Sequence, residues 1–294
     1  MTNVEDKQVG GTPPQQQDKQ PGIESKMKPL PTQPREYVGS GKLKGRVAII
    51  TGGDSGIGRA VALAYAKEGA NLVLNYLSEE HSDAEETKRL AEEAGAQVVL
   101  APGDISEPGT SDMIVKTALD TFNQIDILVN NAGVGDHMQA AANVDDETWN
   151  RVMDINVTGV MRCIRRILPH FEENGGGTII NMASLAGLTG GRGGLTYTAA
   201  KHAVVGMTKN VASHYGPFNI RANAIAPGHV ETGFSAKMTK LDSFGMKQAT
   251  RGTNMITKAG KVSDIANIAL FLASEQSSLI NGVTITADGG WSAY

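Results

Sequence analysis

The apolar run Val47-Ala48-Ile49-Ile50 leads directly into Thr51-Gly52-Gly53-Asp54-Ser55-Gly56-Ile57-Gly58, and an alanine-rich stretch, RAVALAYAKEGA, follows. A buried strand, a glycine-rich turn and a helix in that order point to the start of a βα unit. Glycines let the backbone bend sharply and approach a ligand closely, and the helix behind them opens with free N–H groups and the positive end of its dipole. Those are the requirements of a dinucleotide pyrophosphate site. The spacing is Gly-x3-Gly-x-Gly, not the Gly-x-Gly-x-x-Gly fingerprint, and ordinary loops are often glycine-rich, so the flanking strand and helix carry the weight.

The alternation continues to the end of the chain. Strands are expected over 47–51, 71–75, 96–102, 127–130, 178–182, 221–226 and 283–287. Helices are expected from the glycine turn to 67, over the acidic stretch EEHSDAEETKRLAEEAG, over 112–122 and 147–168, around Tyr197, across 234–255 and over VSDIANIALFLAS. This pattern predicts a single Rossmann-type, doubly wound parallel sheet with helices on both faces, spanning 43–294. Residues 1–42 are rich in Pro, Gln and Gly and carry few large apolar groups, which predicts a flexible arm. Such an arm either hangs free or packs on a neighbouring subunit.

A net charge of −4 gives no electrostatic case for nucleic acid or an anionic membrane. No run of apolar residues is long enough to span a bilayer and the first residues lack an apolar signal core, so a cytoplasmic protein is expected. The lone Cys163 has no disulfide partner and reads as a packed thiol. No His/Cys cluster has zinc spacing, so no metal is expected.

Ser184 ends the strand-like run GTIINMAS, and Tyr197 and Lys201 stand four apart in a helical stretch. Residues so spaced share a helix face. An ammonium beside a phenol favours the phenolate, and a phenol so tuned can exchange a proton with an alcohol or ketone. Ser184 supplies a second hydrogen bond to the same oxygen. Alone, Tyr-x3-Lys would be an ordinary surface pair; the glycine turn upstream gives it meaning. Each of these features follows a predicted strand, on the side where such sheets bind ligands.

Taken together, these motifs resemble the short-chain dehydrogenase/reductase family over residues 43–294. Asn130-Asn131-Ala132-Gly133 resembles the family's strand-end motif, Asn156 in MDINVTG its helix asparagine, and Pro227-Gly228 with Val230 and Thr232 its nicotinamide-side loop. The start of the chain, with ITGGDSGIGRA and a Pro/Gln-rich arm, resembles the bacterial general-stress branch. The resemblance implies an NAD(P)-dependent oxidoreductase moving a hydride between the nicotinamide and a ketone or secondary alcohol. Tyr197 would be the acid/base. Ser184 would stabilise the substrate oxygen, Lys201 would also hold the ribose, and Asn156 would hold a water linking Lys201 to solvent. Gly52, Ser55, Gly56, Ile57 and Gly58 would cradle the pyrophosphate. Asp104, with Ile105, would meet the adenine, unless Asp104 merely opens a loop. Asn131, Ala132 and Gly133 would flank the adenosine side.

Tyr76 stands where an acid selecting NAD would be expected, and Arg59 and Ser78 are near enough in sequence to hold a 2′-phosphate, so NADP is favoured with NAD left open. A lid over 231–261 should close over a medium-sized carbonyl or alcohol. A 3-oxoacyl thioester on a carrier protein docking at Arg162, Arg165 and Arg166 is an alternative, as is a cofactor-binding stress protein without turnover. Trp291 and Tyr294 at the chain end read as interface anchors, and the resemblance implies a homotetramer.

Overall fold

The computed structural model describes residues 39–236, 241–251 and 259–293. The expected arm is therefore almost wholly outside the described residues. Its last positions are tied to the domain: the backbone N–H groups of Ser40 and Lys42 donate to one carboxylate oxygen of Glu68, at 2.9 and 2.8 Å.

Among the described residues, seven strands form one sheet: β1 Val47–Thr51, β2 Asn71–Tyr76, β3 Val98–Pro102, β4 Ile127–Asn130, β5 Gly177–Met182, β6 Ile220–Pro227 and β7 Thr284–Ala287. Their order is β3-β2-β1-β4-β5-β6-β7, and every neighbouring pair is parallel. The expected doubly wound sheet is thus what forms. Successive side chains of a strand point to opposite faces, so an unbroken apolar run feeds two cores. Ile50, Leu72, Leu74 and Ile180 pack with helices α1 (Gly56–Lys67) and α9 (Val262–Ala273), while Ile49, Val73, Leu128 and Ile179 pack with α3 (Thr110–Phe122) and α5 (Val160–Glu173). The alanines of α1 keep that helix thin, and the Tyr65 hydroxyl can donate across to the Ala269 carbonyl of α9 at 3.0 Å. Helix α2 (His81–Glu93) lies between β2 and β3 in sequence, as expected.

Two regions depart from expectation. The single helix expected over 147–168 is α4 (Asp146–Met153), a π turn (Asp154–Gly159) and then α5. The cause is close packing: a Cβ on Gly159 would sit 2.8 Å from Ile105 Cγ1, and the Asn156 side chain turns inward to bond Val134. Such π turns recur at functional sites. The helical region expected over 234–255 resolves into two short helices, α7 (Gly233–Ala236) and α8 (Ser243–Ala249), with 237–240 and 252–258 outside the described residues.

The strand order reverses at β1, which has β2 on one side and β4 on the other. The crevice beyond the carboxyl ends of β1 and β4 is where an open α/β sheet takes its ligand.

Candidate active site

The glycine turn leaves β1 with Gly52 at φ +60° and Gly56 at φ +52°, a backbone that side chains disfavour. Gly58 is constrained by space instead: a Cβ there would lie 1.8 Å from the Gly52 carbonyl oxygen. Ser55 precedes α1 without capping it through its side chain, and the first turn carries no acid. Ile57 leans on the core. The start of α1 thus presents a cradle for an anion. It is held rigid by β4: Asn131 Nδ2 donates to the Thr51 and Gly52 carbonyls at 3.1 and 2.9 Å, and the Thr51 hydroxyl accepts from the N–H groups of Asn131 and Ala132. Thr232 closes the far side, its Cβ 3.6 Å from where a Cβ of Gly56 would stand. This cradle fits the pyrophosphate of a nicotinamide dinucleotide.

The adenosine end differs in detail from expectation. Tyr76 ends β2 with its hydroxyl 2.7 Å from His81 Nδ1. Arg59 is not available for a 2′-phosphate. It is buried, and its guanidinium donates to the Asp54 carbonyl at 2.7 Å and to Thr87 Oγ1 at 2.8 Å. Burial of the polar turn around Asp54 draws it in. That leaves exposed Ser78, while Tyr76 has its phenol pushed up by burial and then by the Glu85 and Asp54 carboxyls, and burial raises the pKa of Asp54, whose Oδ2 has no partner among the described residues. Asp104 Oδ1 accepts from the N–H and hydroxyl of Ser106 at 2.8 and 2.7 Å, closing a loop. Ile105 is buried, with both its side chain and its carbonyl packed against Gly159.

Ser184, Tyr197, Lys201 and Asn156 converge beyond β4 and β5. Ser184 caps a short turn by accepting from the Ala186 N–H at 3.1 Å, and its hydroxyl lies near enough to the Tyr197 phenol to act on it. Tyr197 and Lys201 share one face of α6 (Leu195–Tyr215), with the Lys201 ammonium 5.5 Å from the phenol ring centre. Lys201 donates to the Met182 carbonyl at 2.8 Å. Asn156 is fully buried and clamps Val134, accepting from its N–H at 2.9 Å and donating to its carbonyl at 2.8 Å. A Cβ on Gly133 would lie 3.0 Å from Asn156 Oδ1, a tight fit, and 3.7 Å from Lys201 Nζ, so both groups sit close to the strand end.

The electrostatics are not those expected from spacing. Burial pushes the Tyr197 phenol up to about 12; the nearby Ser184 hydroxyl opposes this and the Asp136 charge adds to it. Burial pulls the Lys201 ammonium down to about 8. The Lys201 ammonium is turned to the Met182 carbonyl, and desolvation disfavours both charges.

The nicotinamide-side loop follows β6. Gly228 bonds the Ala287 carbonyl through its N–H at 2.9 Å, and a Cβ there would strike Asp288 at 2.7 Å; Pro227 ends the strand, and Val230 pairs with Gly260 in an isolated bridge. Above the site, Phe234 on α7 meets the Tyr197 ring at 5.8 Å between centres. Asp242 joins this roof to the loop after β4: it accepts from Asn143 Nδ2 at 2.7 Å and from the Ala140 N–H at 3.1 Å, and caps α8 by accepting from the Gly245 N–H at 3.0 Å.

Several expectations from isolated residues change. Trp291 does not reach outward: it is buried on Leu185, donates from its indole to the Arg251 carbonyl at 3.1 Å and lies under the Arg192 guanidinium. Tyr294 lies outside the described residues. Arg166 pairs with Asp112 at 2.7 Å and Arg162 donates to the Ser106 carbonyl, leaving Arg165 of the basic patch. Cys163 is a buried thiol, as expected. Spacing gave no sign of Asp136 or Asp242. Both are acids outside any motif, where only the fold shows what they cap.

No helix among the described residues is long and apolar enough to cross a membrane. The family described as enoyl-(acyl carrier protein) reductase matches residues 52–292. A 3β-hydroxysteroid dehydrogenase of Eggerthella lenta is 44% identical over 253 residues, covering 86% of this chain and 96% of that protein. General stress protein 39 of Bacillus subtilis is 36% identical over 279 residues, 95% of this chain and 96% of that one. The crystal structure of a short-chain dehydrogenase from Mycobacterium paratuberculosis bound to NAD superposes with a TM-score of 0.78 at 32% identity, covering 86% of this chain and 100% of that one. With the cradle at α1 and the Ser184, Tyr197 and Lys201 cluster beside it, these matches identify the chain as a member of the short-chain dehydrogenase/reductase family, NAD(P)-dependent oxidoreductases that pass a hydride between a nicotinamide and an alcohol or ketone carbon.

Proposed function

We propose that the chain reduces an apolar ring ketone, with Tyr197 as proton donor. The observation that carries this is the convergence of Ser184, Tyr197 and Lys201 beside the glycine cradle, with the Lys201 ammonium 5.5 Å from the phenol ring centre and burial holding the phenol in its protonated form. A protonated phenol is loaded to give its proton to a carbonyl oxygen, and Ser184 holds that oxygen as charge develops. Lys201 would hold the ribose. The Asn156 amide is committed to Val134, so a water beside Lys201 would rest on the backbone of the π turn. The cofactor supplies the hydride; the chain binds it at Gly52–Gly58, Asn131–Gly133 and Pro227–Thr232.

The substrate's size and polarity are read from the roof. Phe234, Leu241 and Phe244 are large exposed apolar side chains on or beside α7 and α8. They suit an apolar ring, in keeping with the hydroxysteroid relative. The carrier-protein alternative loses most of its basic patch with Arg162 and Arg166 engaged. With Arg59 withdrawn and Asp54 nearby, neither cofactor is strongly favoured, and NADH and NADPH should bind within about tenfold of each other. A groove of about 630 Å³ between α5 and α6, lined by Met161, Ile164, Leu168 and Met207 among others, supports a homotetramer. We keep the cytoplasm as the site of action and 1–42 as an arm.

A panel of cyclic and acyclic ketones mixed with NADH and NADPH, followed at the nicotinamide absorbance band, tests the activity. Turnover of cyclic ketones is expected; binding of both cofactors without turnover of any carbonyl would sink it. Light scattering tests the assembly, which a mass near 30.9 kDa would refute.

A further inference from the structure

Helix α6, which carries Tyr197, begins at Gly194, a residue with no side chain to cap it. The cap comes from far away in sequence. Asp136, on the loop after β4, accepts from the N–H groups of Tyr197 at 2.8 Å and Gly194 at 3.2 Å, and from Met138 in its own loop at 3.1 Å. The carboxylate is 1% exposed, and no described ion pair includes it. The fit is close: a Cβ on Gly194 would lie 2.4 and 2.6 Å from its two oxygens. The loop bends to deliver it, with His137 and Met138 at φ 55° and 57°. Left-handed backbone at consecutive non-glycine residues is strained, and it persists only where the surroundings over-determine it. Here Gln139 bonds back to the Asp136 carbonyl and accepts from the Leu195 N–H at 2.9 Å.

We propose that Asp136 is a positioning residue, the long-range cap that sets where Tyr197 stands against Ser184 and Lys201. Its negative charge has a second effect. A neutral Ser or Asn would cap a helix as well, but a carboxylate also complements the positive end of the helix dipole, and the three N–H groups offset the cost of burying it. Beside a phenol, the charge adds to burial in opposing phenolate formation. The charged and titratable groups around Tyr197 are Lys201 on its own helix, Asp136 with His137 on the loop after β4, and Asp242 on the roof beyond; Ser184 and Phe234 add no charge. The inference rests on Tyr197 being the acid of the proposed reduction.

The test is Asp136→Asn, with Gly194→Ala as a second variant that displaces the carboxylate without removing it. Three measurements are made: kcat for ketone reduction against pH, cofactor Kd by fluorescence, and the titration of Tyr197 followed by NMR with ring-labelled tyrosine. In Asp136→Asn, kcat should fall at least ~tenfold with cofactor Kd within ~twofold. The alkaline limb and the Tyr197 titration should both move to lower pH. A variant with the parent kcat, or a slowed variant with an unmoved Tyr197 titration, overturns the proposal, the latter showing a cap and nothing more. If Asp136→Asn does not fold, Gly194→Ala decides: a drop in kcat with Kd unchanged supports it, and the parent kcat overturns it. If the parent protein reduces no carbonyl, the oxidoreductase reading fails by itself, and the Tyr197 titration, which needs no turnover, still decides whether Asp136 sets the phenol's state.

Discussion

The floor and the roof of the site are built differently. The floor consists of strand ends and long helices: the glycine turn, Asn131, Asn156, Ser184, Tyr197 and Lys201, tied by buried side-chain bonds to backbone groups of other elements. The roof consists of two short helices with exposed Phe234, Leu241 and Phe244, joined to the floor's rim through Asp242. Groups that move protons need fixed geometry, and long elements supply it. Groups that select a substrate need only to present apolar surface, which short elements can do. Mutations in the floor should therefore strike turnover or cofactor binding, and mutations in the roof should strike KM.

The largest effect is expected at Tyr197. Tyr197→Phe keeps the packing and removes the proton donor, so kcat should drop by ~10²–10⁴ while cofactor still binds. A variant keeping half its rate would break the comparison at its centre. Next comes Gly58→Ala, whose methyl would meet the Gly52 carbonyl at 1.8 Å. Backbone must move on both sides, at a cost of roughly 1–3 kcal/mol of stability, and cofactor affinity should weaken by more than about tenfold. Calorimetry and fluorescence titration read both; unchanged cofactor affinity would mean the cradle is not where the pyrophosphate lies.

Lys201 should show the opposite sign for stability. Its native pKa of about 8 lies below the reference 10.5, so below pH 8 the fold holds a buried ammonium that the unfolded chain would leave in water. The unfolded chain binds more protons, and this penalty fades as pH rises from 8 towards 10.5. Lys201→Met should thus lose activity yet gain roughly 1–3 kcal/mol of stability at pH 7, with the gain shrinking above pH 8. Urea melts at both pH values measure it. A variant less stable at pH 7 would show that the bond to the Met182 carbonyl outweighs the buried charge.

The smallest effect belongs to the roof. Asp242→Ala removes the bonds to Ala140 and Asn143, and KM should rise by less than about tenfold with kcat nearly unchanged. Steady-state kinetics decide; a large loss of kcat would make the roof part of the chemistry. The Asn143 amide and the Gly245 and Ala140 N–H groups hold the Asp242 carboxyl down to about 2. The latch is therefore present above the ordinary carboxylate pKa and is released only as pH falls towards that value.

What the sequence determined by itself was local and periodic. Apolar runs bounded by glycine turns fixed the strands and their parallel winding, because a strand buried on both faces must be apolar throughout. The helical spacing of Tyr197 and Lys201 put them on one face, and the order of strand ends put Ser184 and the glycine turn on one side of the sheet. Only the tertiary structure decided the rest. Arg59 looked free for a phosphate but is drawn into the Asp54 turn. Trp291 looked like an interface anchor but fills its own subunit. The π turn at Asn156 exists because Gly159 meets Ile105 across the core. Asp136 caps a helix that starts 58 residues later. These are contacts between segments distant in the chain, and burial acts on the assembled surface, so no local pattern records it. The same reason explains the pKa values of Tyr197 and Lys201: spacing brings them together, but desolvation by the whole fold raises the one and lowers the other.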